Sequence, residues 1–176
     1  MASASASSPS RLLATCSDVV RTWELDRGEP TALRPRLEVQ AQAMGRAAGQ
    51  GPWHCVKWNH NNQVLACGGD RGAVALLHES GKVLEVLFEG GPDEAAAGHA
   101  PTPVVALAWG GRSRYLCTSG GGSRRPTLWD LKRKQKLRSF KGHGSSTVTA
   151  VTFAPDDSGV ASGNNHGEVG ACVCTR

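Results

Sequence analysis

The chain has 176 residues, a length that fits one domain, and 20 Lys and Arg against 15 Asp and Glu give it a net charge of +5. This balance is too mildly basic to indicate nucleic-acid binding by itself, and no stretch approaches the ~18–20 apolar residues that cross a bilayer. The six cysteines fall mostly in apolar segments and no secretory signal precedes them. We therefore expect reduced thiols in a cytosolic or nuclear protein without a membrane partner.

Alternating apolar and polar residues predict short strands along the chain after a low-complexity N-terminus, residues 1–10, that we expect to be disordered. The strands predicted in the first unit are 11–16, 19–25 and 33–39. Asp18 suits the first hairpin turn, because its carboxylate can accept hydrogen bonds from nearby backbone N–H groups. A long surface loop, residues 26–52, encloses the third strand.

The rest of the chain predicts three further units. The second unit runs from Trp53 to Glu89 with Gly81 at its last hairpin, and an inserted loop, residues 90–102, follows it. The strands predicted in the third unit are Val104 to Trp109, Tyr115 to Ser119, Pro126 to Leu131 and Lys136 to Phe140. Those of the fourth unit are Val148 to Phe153, Gly159 to Ser162 and Glu168 to Cys174. The total is 14 strands, divided three, four, four and three.

A repeat with fixed offsets organises these strands. A Gly-His dipeptide ending at His99 lies ten residues before Trp109, and another ending at His143 lies ten residues before Phe153. Seven residues beyond each of these aromatic anchors a strand of small residues begins, and the same step from Trp58 reaches a similar strand. The anchors are 51 and 44 residues apart, close to a repeat period of about 40–45.

Two dipeptides complete the pattern, Trp129-Asp130 and the near match Trp23-Glu24. Together with the period they resemble WD40 repeats, the four-stranded blades of a β-propeller. The resemblance implies an all-β fold of about three and a half blades, whereas a closed propeller has about four to eight. Because the sequence begins and ends inside a blade, we expect the first half of a larger ring. The predicted units are approximately 11–51, 52–97, 98–141 and 142–176.

WD40 blades often carry a His–Asp–Ser–Trp hydrogen-bond chain. In the third unit His99, Ser119 and Trp129 occupy matching positions and the Asp is absent. In the fourth unit His143 and Ser162 match, but a cysteine replaces the Trp. A partial chain predicts a weaker blade or a bridging water. Because these positions account for the Ser and His residues, we expect no catalytic triad and no enzyme activity.

Two segments resemble binding sites only weakly, so we expect neither a cofactor nor a metal ion. Gly120 to Arg125 only loosely resembles a phosphate-binding loop, since it lacks the Lys-Ser/Thr ending and the following helix. His54, Cys55 and His60 bracket a predicted strand rather than a metal-binding knuckle, and the sequence has no Cys-x-x-Cys pair.

Residues 124–141 contain eight of the twenty basic side chains and one acidic residue, Asp130. The candidate partner-binding residues of this basic hairpin are Lys132, Arg133, Lys134, Lys136 and Arg138. Their charges either discourage aggregation at a solvated edge, or form a footprint for an acidic protein face, a tubulin tail or nucleic acid. A nuclear-localisation role also fits the composition. Aromatic residues that could stack on bases are nearly absent, which makes nucleic acid the less favoured partner.

Some segments inside the repeats are more specific. They are residues 56–60 (VKWNH), 113–121 (SRYLCTSGG), 129–134 (WDLKRK) and 141–143 (KGH). In that order they resemble the N-terminal propeller of the WD-repeat adaptor family that recruits gamma-tubulin ring complexes (neural precursor cell expressed, developmentally down-regulated), in its plant-type form. The resemblance covers about residues 11–174.

The resemblance implies a propeller that docks on spindle or augmin components and a separate C-terminal helical region that binds the gamma-tubulin complex. The sequence ends before the second half of such a propeller and before any helical tail. We therefore expect a non-enzymatic scaffold with protein partners, located in the cytoplasm at the spindle or a microtubule-organising centre. It should contact a docking partner without itself recruiting gamma-tubulin.

Two alternatives stay open. One is a WD40 module of another assembly, such as a ubiquitin-ligase or ciliary complex. The other is a basic nucleic-acid binder, whose affinity would fall steeply as salt rises. The open ring also predicts exposed strand edges and self-association. An endogenous species well above 18.5 kDa would instead mean that the sequence belongs to a longer product.

Overall fold

A computed structural model describes residues 11–25, 33–40, 52–88, 102–120, 125–140, 143–144 and 146–173. Over these ranges the chain forms 14 strands in four antiparallel sheets and one 3₁₀ turn, Asp70–Gly72. Sheet A contains β1 (Arg11–Cys16), β2 (Val19–Leu25) and β3 (Leu33–Gln40). Sheet B contains β4 (Trp53–Trp58), β5 (Val64–Gly69), β6 (Ala73–His78) and β7 (Val83–Phe88). Sheet C contains β8 (Ala106–Gly110), β9 (Tyr115–Ser119), β10 (Thr127–Asp130) and β11 (Gln135–Ser139). Sheet D contains β12 (Val148–Phe153), β13 (Gly159–Asn164) and β14 (Val169–Val173).

These sheets confirm the all-β prediction, and their three, four, four and three strands agree with the predicted division. Several strand bounds differ from the prediction by one or two residues, as in β3, β10, β11, β13 and β14. The start of β8 is one of them, at Ala106 rather than at Val104. The backbone N–H of Val104 instead donates to the carbonyl of Gly69 in sheet B, at 2.9 Å. The predictions for residues 1–10 and for most of the loops 26–52 and 90–102 lie outside the described residues.

Each sheet is a meander of hairpins, so its strands lie side by side in chain order. The sheets pack through their first strands, with β4 against β1 and β8, and β8 against β12. Hydrogen bonds join neighbours: the Trp53 N–H donates to the Ser17 carbonyl at 2.8 Å between sheets A and B. Between sheets C and D, the Ser119 hydroxyl donates to the Val148 carbonyl at 3.1 Å. The four sheets therefore follow one another as successive blades.

The hydrophobic core is divided among the spaces between neighbouring sheets. Val20, Trp53 and Leu77 belong to a cluster that joins sheets A and B. A second cluster joins sheets B and C, and a third joins sheets C and D around Phe140 and Val160. Because each fully buried aliphatic or aromatic side chain contributes roughly 1.5–3 kcal/mol, every sheet depends on its neighbours for stability.

Two glycines meet local requirements of this arrangement. Gly81 has φ +87 in the β6–β7 hairpin, a backbone conformation that side chains disfavour, as its predicted place in that turn implies. A Cβ on Gly110 would lie 2.5 Å from Cδ1 of Phe153, so the missing side chain lets that ring of sheet D pack on sheet C. The aromatic anchor of one repeat thus contacts the preceding sheet.

Candidate functional site

A Trp–Thr hydrogen bond recurs in two of the sheets. In sheet C the Trp129 Nε1–H donates to the Thr118 hydroxyl at 3.1 Å, and both residues are buried. In sheet A the Trp23 Nε1–H donates to Thr15 at 3.4 Å, at a more exposed position. The pairing register is the same in both cases, since each Trp lies two residues beyond the residue opposite the Thr. The two tryptophans of the Trp-Asp and Trp-Glu dipeptides therefore occupy equivalent places.

The sequence pattern assigns Ser119 to the hydrogen-bond chain with Trp129, and the structure corrects this assignment. The partner of Trp129 is Thr118, and Ser119 faces the opposite side of β9, where its hydroxyl donates to Val148. Thr118 and Ser162 each lie nine residues beyond the aromatic anchor of their repeat and share one register position. Counting from the anchors, rather than matching serine to serine, would have found Thr118.

Sheet D uses a different polar pair at the equivalent place. The His143 Nε2 lies 2.7 Å from the Ser162 hydroxyl, and both side chains are buried. The other ring nitrogen, Nδ1, is also buried and has no hydrogen-bond partner in the described region. Cys172 lies opposite Val160 at the register position of the tryptophan. His99, the predicted counterpart of His143 in the third unit, lies outside the described residues.

Sheet B replaces the polar pair with two apolar residues. By register, Leu77 takes the place of Trp129, and Cys67 takes the place of Thr118. Leu77 is 1% exposed and Cys67 is fully buried, and both belong to the cluster between sheets A and B. Burial raises the pKa of the Cys67 thiol well above its usual value. This thiol therefore acts as a small apolar group in the core.

The aspartate of the Trp-Asp pair is buried and fully bonded, with 1% of its surface exposed. Asp130 accepts the backbone N–H of Arg133 at 3.0 Å and the guanidinium of Arg114 at 3.1 Å. Burial alone would raise the carboxyl pKa, but these two donors hold the pKa below its ordinary value. Asp18, predicted to serve as a turn residue in sheet A, is exposed in the β1–β2 turn.

The aromatic anchors lie at the ends of the first strands of sheets B, C and D. Trp58 packs against the cluster between sheets A and B. The Trp109 Nε1–H donates to the Lys57 carbonyl at 2.9 Å and so links sheet C to sheet B. Phe153 lies on Gly110 and links sheet D to sheet C. The anchors therefore fasten consecutive blades.

The predicted basic hairpin forms the outer edge of sheet C. Residues 131–134 make the turn between β10 and β11, and β11 has one neighbouring strand in the sheet. All five candidate cations are exposed: Lys132, Arg133, Lys134, Lys136 and Arg138. The Lys134 ammonium forms an ion pair with Glu85 of β7, across the boundary with sheet B. The hairpin thus presents a basic surface at the junction of two blades.

The structure does not bring His54, Cys55 and His60 together at one site. His54 contacts Asp70 at 2.7 Å, His60 is hydrogen-bonded to Ser113, and the Cys55 thiol donates to the Val104 carbonyl. Over the described ranges, no three His, Cys, Asp or Glu side chains are grouped to hold a metal ion. The same ranges contain no helix with the length and apolarity needed to cross a membrane. Most of the loop from Gly120 to Arg125 lies outside them.

A family model described as "WD domain, G-beta repeat" matches residues 134–169. The chain carries a WD40 repeat. The matched segment starts in the basic hairpin, continues through β11 and ends at the first residue of β14. One sequence repeat therefore includes the outer strand of sheet C and strands of sheet D, so it spans two neighbouring blades.

Two curated relatives and one solved structure add to this match. Human Protein NEDD1 is 38% identical over 78 residues, 39% of this chain and 12% of NEDD1. Protein transport protein SEC31 of Phaeosphaeria nodorum is 25% identical over 109 residues, 60% of this chain and 8% of SEC31. The chain thus spans a small part of the length of both relatives. A chain in the crystal structure of the mitotic checkpoint complex superposes with a TM-score of 0.68 at 22% identity, over 92% of this chain and 44% of that one. The fold is that of a partial WD40 β-propeller.

Proposed function

We propose that this chain is a non-enzymatic adaptor module related to the recruitment of gamma-tubulin complexes and to spindle microtubule nucleation. The observation that carries this proposal is the 38% identity to NEDD1 over 78 residues, together with the sequence resemblance to the gamma-tubulin-targeting adaptor family. In this role the chain would work in the cytoplasm, at the spindle or a microtubule-organising centre. Its four predicted units, 11–51, 52–97, 98–141 and 142–176, would act as one docking platform.

The basic hairpin is the surface that we assign to partner binding. Its five cations are exposed along one edge and suit an acidic protein face, such as a spindle or augmin component. Stacking on nucleic-acid bases has little support here, because Phe140, the aromatic residue next to the hairpin, is 4% exposed and packs in the core. The partner is therefore a protein in this proposal.

A second candidate function has its own observation. The match to SEC31, named as a protein transport protein, favours a module that works in another process and assembly. Self-association through strand edges also stays a prediction, and Leu13 on β1 and Val169 on β14 are 43% and 80% exposed. A proximity-labelling experiment in cells that enriches other assemblies and no spindle proteins would favour this second function.

The proposal is tested by recovery of augmin, the candidate docking partner, on the immobilised chain. The test variant reverses four charges of the hairpin, at Lys132, Arg133, Lys134 and Lys136, each changed to Glu. A matched control reverses four exposed cations elsewhere, at Arg34, Arg36, Arg71 and Lys82. We expect recovery by the wild type and the control, and its loss in the hairpin variant. Equal recovery by all three would remove the hairpin from the function, and no recovery by any would reject the adaptor role.

A further inference from the structure

A groove of about 240 Å³ lies at the boundary of sheets B and C, beside the basic hairpin. Its apolar walls come from both sheets: Leu76, Leu84 and Leu87 from sheet B, and Trp109 and Leu131 from sheet C. Leu84 is 45% exposed, whereas Leu87 is buried. A large apolar side chain therefore faces solvent beside the buried walls of the groove, Leu76 and Leu87.

Hydrogen bonds and an ion pair join the two sheets around the groove. The Trp109 indole donates to Lys57, and His60 is hydrogen-bonded to Ser113, which lines the groove. At the mouth, the ion pair between Lys134 and Glu85 joins the β10–β11 turn to β7. A site formed in advance loses less entropy when it binds a ligand.

The size and charge of the groove indicate what it takes. Its volume is below the ~300–1,000 Å³ of small-molecule sites, so it suits one inserted side chain. The turn that supplies Leu131 and Lys134 also carries the exposed cations Lys132 and Arg133. The nearby acids are already engaged, since Glu85 is paired with Lys134, and the buried Asp130 is held by Arg114. The mouth of the groove therefore attracts negative charge.

We propose that the groove between sheets B and C anchors an acidic segment of a partner protein by one large apolar side chain. The apolar residue would insert against Leu84, Leu131 and Trp109, and the flanking carboxylates would contact Lys132 and Arg133. This inference rests on the proposed function of the hairpin, to which it adds the apolar anchor. It implies that the acidic face of the partner includes a short linear segment with one large apolar residue.

The probes are three fluorescein-labelled peptides, measured by fluorescence anisotropy with the full chain. The first has a central Leu flanked by Glu residues, the second replaces this Leu with Ala, and the third replaces the Glu residues with Lys. We expect the first to bind about tenfold more tightly than the second, since one buried Leu at an interface contributes about that much. The Lys-rich peptide should bind more weakly than either.

Two chain variants locate the binding. Leu84→Gln removes the apolar mouth of the groove, and Leu137→Gln changes a leucine of β11 that is comparably exposed, 41% against 45%. We expect about a tenfold loss for Leu84→Gln and less than a twofold change for Leu137→Gln. Circular dichroism checks that both variants keep the strand content of the wild type. Equal losses in the two variants, or no preference for Leu over Ala in the peptide, would overturn the groove.

A third variant separates this inference from the proposed function. Lys132→Gln with Arg133→Gln weakens the hairpin and leaves the groove walls unchanged. A loss of peptide affinity in this variant but not in Leu84→Gln would support binding by the hairpin and overturn the proposed role of the groove. No binding by any peptide, or tightest binding by the Lys-rich one, would also overturn it. So would light scattering that gives a dimer which Leu84→Gln dissociates, because a second copy would then occupy the groove.

Discussion

Sheets B and C are neighbours with the same four-strand order, yet they fill the same two positions with opposite chemistry. Sheet C holds Trp129 bonded to Thr118, whereas sheet B holds Leu77 beside Cys67. Both arrangements are buried and both sheets are complete over the described residues. The hydrogen-bond chain is therefore not required to form a blade. Apolar burial provides the stability. The polar pair fixes the orientation of the two side chains, because a buried donor requires an acceptor.

The largest expected effect lies in the apolar blade. Leu77→Ala should lower the free energy of unfolding by about 2–5 kcal/mol, because it leaves a cavity in the cluster between sheets A and B. Urea denaturation of both proteins measures the difference. The control is Leu84→Ala in the same sheet, where a 45% exposed side chain should change stability by roughly 0.5 kcal/mol or less. Similar losses in the two variants would contradict a blade held by apolar burial.

The next effect tests the carboxylate of sheet C. Asp130→Asn should destabilise the chain by about 1–3 kcal/mol at pH 7, because the Arg114 guanidinium loses its charged partner. The Asp130 pKa is lowered in the folded state, so this stabilisation is present above the unfolded pKa of ~3.9. It is lost as pH falls through the lower, folded pKa. Urea midpoints at a series of pH values should therefore converge for the two proteins in acid.

A control and a contrary result complete that test. Asp18→Asn changes an exposed aspartate in the turn of sheet A and should alter stability at pH 7 by no more than ~0.5 kcal/mol. A gap between wild type and Asp130→Asn that stays constant down to strongly acidic pH would show that the Asp130 charge does not supply the difference.

A smaller effect comes from the indole hydrogen bond itself. A double-mutant cycle of Trp129→Phe and Thr118→Val should give a coupling of about 0.5–1.5 kcal/mol, since the cycle cancels the lost packing of the larger ring. The matched cycle of Trp23→Phe and Thr15→Val in sheet A should give less, because that bond is longer, 3.4 Å against 3.1 Å, and more exposed. Couplings of the opposite rank would mean that burial does not strengthen this bond.

Much of the fold could be predicted because local sequence patterns determine where its strands and turns lie. Strand alternation, turn residues and repeat spacing are properties of neighbouring residues, and they placed β1, β2 and β9 at the bounds that the structure has. Thr118 was missed because a one-residue shift in a strand reverses the face, and serine resembled the expected residue more closely. The sequence did not show that Leu77 and Cys67 replace the Trp–Thr pair in sheet B, because this equivalence depends on the pairing register of the strands.

The groove could not be predicted, for a different reason. Its walls come from Leu84, Trp109 and Leu131, which lie far apart in the chain and meet only where two sheets pack. None of the three belongs to a motif that points to binding. The hairpin was visible as a run of charge, but the pairing of Lys134 with Glu85 depends on the neighbouring sheet. Surfaces between blades are thus properties of packing rather than of any single repeat.

The smallest expected effect is at this ion pair between sheets B and C. Lys134 and Glu85 have 67% and 31% of their side chains exposed, so Lys134→Gln should cost about 0.2–1 kcal/mol. The difference should shrink at 1 M salt, where the screening length falls to ~3 Å, whereas Lys132→Gln should change stability little at any salt. Urea unfolding at low and high salt measures both. A larger loss that disappears at 1 M salt would mean that charge, rather than the indole bond to Lys57 and the shared core, holds the two blades together.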